Sequence, residues 1–437
     1  MSLTSVSLEE WQILQPVHGS DLAGRGFGAN EADRQLAERL TSTGRIEVLE
    51  LARGLELRAT SYVGRFRLGE IEVTVNPKLT GAPLLHLLRY AYGLRHLELY
   101  KPVGYAAEKW SFQELIVQQL AAEVGEILAR GTHRDYLLTH ADLSSPRGRI
   151  DFNRFARDAH TTKATLPCIH HPRTEDNLLN QALLGGLQFA VRLTTNVDLR
   201  AHLYRLMKTL SIDVSSRLLD TRLLNDARRT MDRRTTAYEA ALRIIELLLN
   251  AEGVALHNHA EQVTLPGFLF DMNRFFQALM SRFLRDHLVN VVLYDEYRLK
   301  GIYSYAPGQN PRNRLAPVPR PDFVVMRNGK MMAVLDAKYR DLWEKSLPRE
   351  MLYQLSLYAL GRPGQNRMAA ILYPTMDSTA REQTLSIDDP VNGSSQAKVV
   401  LRPVKLLELE ELIRSGNTGA KRRTELARWL SYGTLAA

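Results

Sequence analysis

Cysteine is nearly absent from this chain: one residue, Cys168, stands among 437. A single thiol excludes an internal disulfide and any centre built from several cysteines, and it suits a reducing compartment. The tempting cluster around it, Cys168-Ile169-His170-His171, lacks zinc-site spacing, so a structural role is expected there. Uninterrupted apolar runs of about 18 residues are missing, and so is a signal-peptide pattern. No membrane partner is therefore expected, and the cytoplasm is the expected location. The phosphate-binding pattern G-x-x-x-x-G-K-[ST] does not occur either, and Gly24, Gly26 and Gly28, without it, read as a plain loop. Any nucleotide-driven step must come from a partner. Acidic residues are the minority charge, 48 Asp+Glu against 57 Lys+Arg, and the net +9 favours a polyanionic partner.

What is present is ample apolar material, 45% of the residues, in a chain long enough for more than one domain. The pattern predicts an α+β multidomain protein. Residues 1–105 read as a β-rich module, in which the period-two alternation from Ile46 through Val75, broken by Gly54, Gly64 and Gly69, predicts a small antiparallel β module. Residues 106–255 read as mainly helical, opening on the capping box Ser111-Phe-Gln-Glu114. Further helices are expected over 177–193, 199–209 and 236–250, with Asp176 a candidate cap for the first. Residues 256–437 read as an α/β domain beginning near Glu261: a helix over 271–288, a strand over 289–294, a hairpin, a helix, then strands at 368–373 and 399–404.

The hairpin carries the chemistry. Phe323–Met326 and Met331–Leu335 are apolar runs about the turn Arg327-Asn328-Gly329-Lys330, and pairing them brings Asp322 beside Asp336-Ala337-Lys338. Two readings fit that spacing. The acids are strand-end residues in solvent with Lys338 as an ordinary ion-pair partner, or they hold a divalent cation that clamps a phosphate oxygen while Lys338 orients water or offsets charge. In the helix that follows, Leu352, Leu355 and Ala359 make an apolar stripe, and Glu350, Gln354 and Tyr358 make an adjoining row that can look into such a site. Hairpin and helix together resemble the PD-(D/E)xK nuclease superfamily, with Gln354-x-x-x-Tyr358 similar to the Q-x-x-x-Y element of its RecB-like branch. Ahead of the hairpin, the proline-rich stretch 304–320 delivers Arg312, Arg314 and Arg320, which with Arg340 are candidates for DNA contact or solvated loop cations.

The resemblance extends along the chain. Val75-Asn-Pro-Lys78, Pro146-Arg-Gly-Arg-Ile-Asp151, Asp176 with Asn180, and Leu269-Phe-Asp-Met-Asn273 resemble the McrC family, the nuclease subunits of two-component restriction systems that cut modified DNA. It implies a C-terminal PD-(D/E)xK core and an N-terminal part that engages a hexameric AAA+ GTPase, McrB, through which alone GTP enters. It also implies double-stranded DNA as substrate and Mg²⁺, or alternatively Mn²⁺, held by Asp322, Asp336 and the Ala337 carbonyl, with Lys338, Gln354 and Tyr358 completing the catalytic set. One departure is Gln277, where family members often carry a glutamate. A stand-alone RecB-like repair exonuclease and a catalytically inactive adaptor for a partner NTPase are the alternatives.

Overall fold

A computed structural model describes residues 4–28, 30–94, 112–157, 164–252, 267–362 and 367–433. They fall into two compact units: residues up to 94 with those from 269 onward, and those from 112 to 268. The expected cuts after 105 and 255 lie near the two chain crossings, but the first and last expected segments share a unit. The cause is pairing that local sequence does not display. Met272 N–H donates to the Ser61 carbonyl at 3.0 Å, the Tyr62 hydroxyl donates to Asp271 at 3.2 Å, and the Tyr90 hydroxyl donates to Asp286 at 2.8 Å. Ser111 and Glu261 lie outside the described residues.

The period-two stretch forms Ile46–Leu51, Gly54–Ala59, Tyr62–Leu68 and Ile71–Asn76. It is not one antiparallel module. The first two strands pair antiparallel with each other and the last two likewise, in separate sheets. Thr4–Glu9 then adds to Ile71–Asn76 in parallel, Thr4 opposite Ile71 and Glu9 opposite Asn76. A parallel neighbour is allowed because a long connection separates these strands, whereas a tight turn would force the antiparallel form.

The same unit contains a six-stranded sheet in the order Val292–Asp295, Phe323–Arg327, Lys330–Ala337, Met368–Thr375, Ser395–Lys405, Gln383–Asp388. The first three strands pair antiparallel with one another, Lys330–Ala337 and Met368–Thr375 are parallel, and helix Arg349–Leu360 lies between these two in the chain. Such a crossover is what a parallel pair requires. Val324, Val334, Ile371, Tyr373, Val399 and Leu401 form one face, buried with Leu355, Tyr358 and Ala359 of that helix. The alternating residues Phe323, Val325, Leu335, Ala370 and Leu372 are also buried, on the face toward helices Met272–His287 and Ala420–Tyr432. Helices on both faces explain why these strands are apolar throughout and do not alternate.

In the other unit, helices Phe112–Arg130, Leu178–Leu193, Val197–Leu210, Thr221–Arg229 and Tyr238–Glu252 bury Leu120, Leu183, Leu187, Leu203, Leu242 and Ile245 completely. The cap of Leu178–Leu193 is Asn177, whose side chain accepts from Asn180 N–H, and not Asp176. Asp176 accepts instead from the backbone and hydroxyl of Ser215 at 3.0 and 2.8 Å, fastening the loop after Val197–Leu210. Among the described residues, no helix is long and apolar enough to cross a membrane.

Candidate active site

The hairpin turns on Asn328 and Gly329, whose φ angles of 48° and 73° are both left-handed. That is the backbone of a two-residue turn whose twist suits flanking strands, and Asn-Gly adopts it at the least steric cost. With Arg327 opposite Lys330 and Phe323 opposite Leu335, the open end presents Asp322 and Asp336 together. Ala337 N–H donates to Asp322 Oδ2 at 2.7 Å, tying the two strand ends beyond the ladder. Lys338 N–H then donates to the Leu372 carbonyl at 3.0 Å, so the lysine backbone is held by the next strand.

Charge at this end is concentrated and dry. Asp336 is 2% exposed, and its Oδ2 lies 3.1 Å from Lys338 Nζ. Burial, then the charge of Asp336, pushes the Asp322 carboxyl up to about 7. Burial likewise raises Asp336, against the opposing pull of Lys338. Burial acts to lower Lys338, but Asp336 and Asp322 outweigh it and hold the ammonium above its ordinary range. Two desolvated carboxylates with one ammonium are a site short of positive charge.

The neighbouring helices complete the site unequally. Gln277 Nε2 donates to Asp322 Oδ1 at 3.1 Å, so the position where a third acid was sought carries an amide. Among the described residues, no group of three or more His, Cys, Asp or Glu side chains could hold a metal. The donor set still suits a hard cation, because Mg²⁺ takes one or two carboxylates and fills its remaining positions with water and phosphate. From the helix after the hairpin, Gln354 Nε2 donates to the Tyr358 hydroxyl at 2.7 Å. Burial, and the carboxylates of Asp336 and Asp322, raise the Tyr358 phenol, although the Gln354 hydrogen bond opposes this. Glu350, the first of the expected row, is exposed.

The basic candidates divide. Arg312 and Arg314 are exposed on the irregular stretch before the hairpin, with Arg314 N–H accepted by Asn310. Arg320 is ion-paired to Glu296 at 2.5 Å. Arg340 lies with its guanidinium carbon 5.5 Å from the centre of the Trp11 ring. Cys168 is buried on strand Leu166–His170, opposite Ala141 and Ile150, in a packing role. Asn180 is fully buried and donates to the carbonyls of His133 and Glu175, and Asp151 accepts from Arg154 N–H, so both serve the local fold.

Sequence reasoning gave no place in the site to Asn273, which accepts from Tyr339 N–H at 3.2 Å and donates to Ser61, or to Glu10, which accepts from the Tyr339 hydroxyl at 3.1 Å. Both brace the residue after Lys338. The Asp-Met-Asn element was a signal for the first; Glu10 had none, being one acid in Glu9-Glu10-Trp11 far away in the chain.

Fold and site define a mixed α/β protein with a buried carboxylate pair and a lysine at the open end of a hairpin. The chain belongs to the McrBC 5-methylcytosine restriction system component family, which it matches over residues 57–374. Among solved structures, it is similar to a chain of a half-complex from a tetradecameric assembly of Thermococcus gammatolerans McrB AAA+ hexamers with bound McrC. The identity is 20%, over 97% of this chain and 99% of that one, with a TM-score of 0.62. A chain of the Thermococcus gammatolerans McrBC complex solved by cryo-EM matches at 19% identity over 65% of this chain and 88% of that one, with a TM-score of 0.46. No curated protein matches.

Proposed function

We propose that this chain is the DNA-cleaving subunit of a two-component, GTP-dependent restriction system that acts on modified DNA, with a PD-(D/E)xK nuclease core. The observation that carries this reading is the Asp322–Asp336–Lys338 cluster at the hairpin's open end, in a chain of this family. The order helix, strand, hairpin, helix, strand supports the nuclease core. Asp322, Asp336 and the Ala337 carbonyl would hold Mg²⁺, or Mn²⁺, which when bound polarises a phosphate oxygen and stabilises the charge that develops on it. Lys338, kept as an ammonium by Asp336, orients the attacking water and offsets charge on the phosphate. Gln354 and Tyr358 hold one another and so fix the wall facing the lysine.

The similar assembly contains McrB AAA+ hexamers with bound McrC, and this chain in the McrC role would bind and stimulate such a hexamer, with GTP entering only through that partner. Residues 1–255 remain the proposed partner-binding segment. Gln277 favours a second reading, an inactive adaptor that stimulates the partner without cutting. Cleavage of methylated and unmethylated DNA with Mg²⁺, with and without the AAA+ partner and GTP, separates the two. Cleavage that needs partner, GTP and modification supports the nuclease. Stimulated GTP hydrolysis with intact DNA sinks it, and cleavage by the chain alone would point to a stand-alone exonuclease.

A further inference from the structure

Trp11 has a φ of 62°, left-handed, at the third position of the turn Glu9–Gln12, which Gln12 N–H closes on the Glu9 carbonyl at 3.1 Å. Its carbonyl and its ring both face cations. Lys345 Nζ donates to the Trp11 carbonyl at 3.3 Å and lies 5.6 Å from the ring centre, and the Arg340 guanidinium carbon is 5.5 Å from the same centre. One indole thus serves two cations. Among the described residues neither is ion-paired to a carboxylate, the neighbouring Glu344 being paired to Lys78, and Arg340 Nε is buried without a hydrogen-bond partner. Lys78 is a third cation nearby: burial, then Arg340 and Lys78, depress the Lys345 ammonium against the weaker opposing pull of Glu344 and Asp341.

The acids of this neighbourhood are otherwise engaged. Glu344 pairs with Lys78 at 2.9 Å, Asp341 Oδ1 accepts from the backbone of Trp343 and Glu344, and burial pushes the Glu10 carboxyl up to about 7. Arg340 is two residues from Lys338 in the chain. Crowded cations beside a half-buried aromatic ring suit an external anion, and a nucleic-acid backbone offers a row of phosphates with bases that stack.

We infer that Trp11, Lys78, Arg340 and Lys345 form a phosphate-binding patch for the DNA strand that leaves the Asp322–Asp336–Lys338 cluster. This rests on the nuclease reading above. Arg340 and Lys345 contact one backbone phosphate, the indole holds both in place, and Lys78 contacts the next phosphate after exchanging Glu344 for it. The first residues of the chain thereby take part in binding substrate beside the hairpin.

The test is affinity for a short DNA duplex, measured over a salt series on the full-length chain carrying Lys338→Ala so that the duplex stays intact. Adding Arg340→Gln and Lys345→Gln should weaken binding by roughly tenfold or more and, since both contact one phosphate, lower the slope of log affinity against log salt by roughly one. Arg340→Lys should retain most of the binding. Lys78→Gln, a milder surface change with a slope loss of about one, keeps the test open if the double variant does not fold. Unchanged affinity and slope in a folded double variant, beside a parent that binds DNA, overturns the patch and leaves the nuclease reading standing. Loss of partner binding with DNA binding intact also overturns it and assigns the cations to an acidic protein surface. A parent that binds no DNA, with or without partner, overturns both.

Discussion

The side-chain amide of Gln277 donates to Asp322 Oδ1 across 3.1 Å, on the opposite oxygen from the one that Ala337 N–H occupies. An amide there orients the carboxylate without adding charge to a pair already short of cations. Replacing it with a carboxylate would put three acids around one ammonium.

Gln277→Glu should therefore lower the stability of the cation-free protein by about 1 to 2 kcal/mol at neutral pH, because a further like charge penalises Asp322 and Asp336. It should also tighten Mg²⁺ binding severalfold, since the added acid is an oxygen ligand. Thermal unfolding with and without Mg²⁺ reads both effects. A variant as stable as the parent without Mg²⁺ and no further stabilised by the ion would show that position 277 lies outside the cation's reach.

Asp322→Ala, Asp336→Ala and Lys338→Ala should each lower DNA cleavage by about 100-fold or more while the fold and partner binding persist. The aspartates and the lysine differ in a second readout. Lys338 competes with a cation for Asp336, to which it is bound at 3.1 Å, so Lys338→Ala should still bind Mg²⁺ in calorimetry whereas loss of both aspartates should not. Full activity in excess EDTA, or parental cleavage rates in any of the three, would put the chemistry elsewhere.

The hairpin was legible because its signals are local: two apolar runs, Asn328-Gly329 between them, and acids at fixed distances from the turn. The row Gln354 and Tyr358 was legible for the same reason, since helical spacing alone puts them together. What the sequence concealed depends on contacts between distant segments. Thr4–Glu9 beside Ile71–Asn76 and Glu10 against the Tyr339 hydroxyl have no local signature, and neither does the placing of Trp11 against Arg340. A parallel strand partner and a buried polar brace are chosen by tertiary packing, and periodicity carries no information about either.

That tertiary packing predicts the outcome of cutting the chain. Residues 1–255 lack the partners of Ser61, Tyr62, His86 and Tyr90, namely Met272, Asp271, Glu410 and Asp286. Expressed alone, that fragment should lose the cooperative unfolding of its strand module and expose apolar surface. Hydrogen exchange within Tyr62–Leu68 and Ile71–Asn76 should become fast in the fragment and stay slow in the full chain. Equal protection in both would mean that the N-terminal strands form an independent domain after all.

Glu10 gives the pH dependence its sign. Its side chain is 3% exposed, and burial raises its carboxyl from 4.5 to about 7 although Lys78 N–H and the Tyr339 hydroxyl both donate to it. In the unfolded chain the group reverts to 4.5, so between these values the folded protein holds the proton longer. Stability from this group is therefore greatest at low pH and falls as pH rises from about 4.5 through about 7. The full difference is of order 3 kcal/mol, from roughly 2.5 pKa units at 1.36 kcal/mol each. Glu10→Gln keeps an acceptor for Tyr339 and Lys78 but cannot ionise, so whatever the amide itself costs should be nearly the same at every pH. Between pH 5 and pH 8 the parent should lose stability that Glu10→Gln retains, and the gap between their unfolding free energies should change by that order across the window. Parallel stability profiles for the two proteins would mean that Glu10 titrates normally and that its burial is relieved in solution.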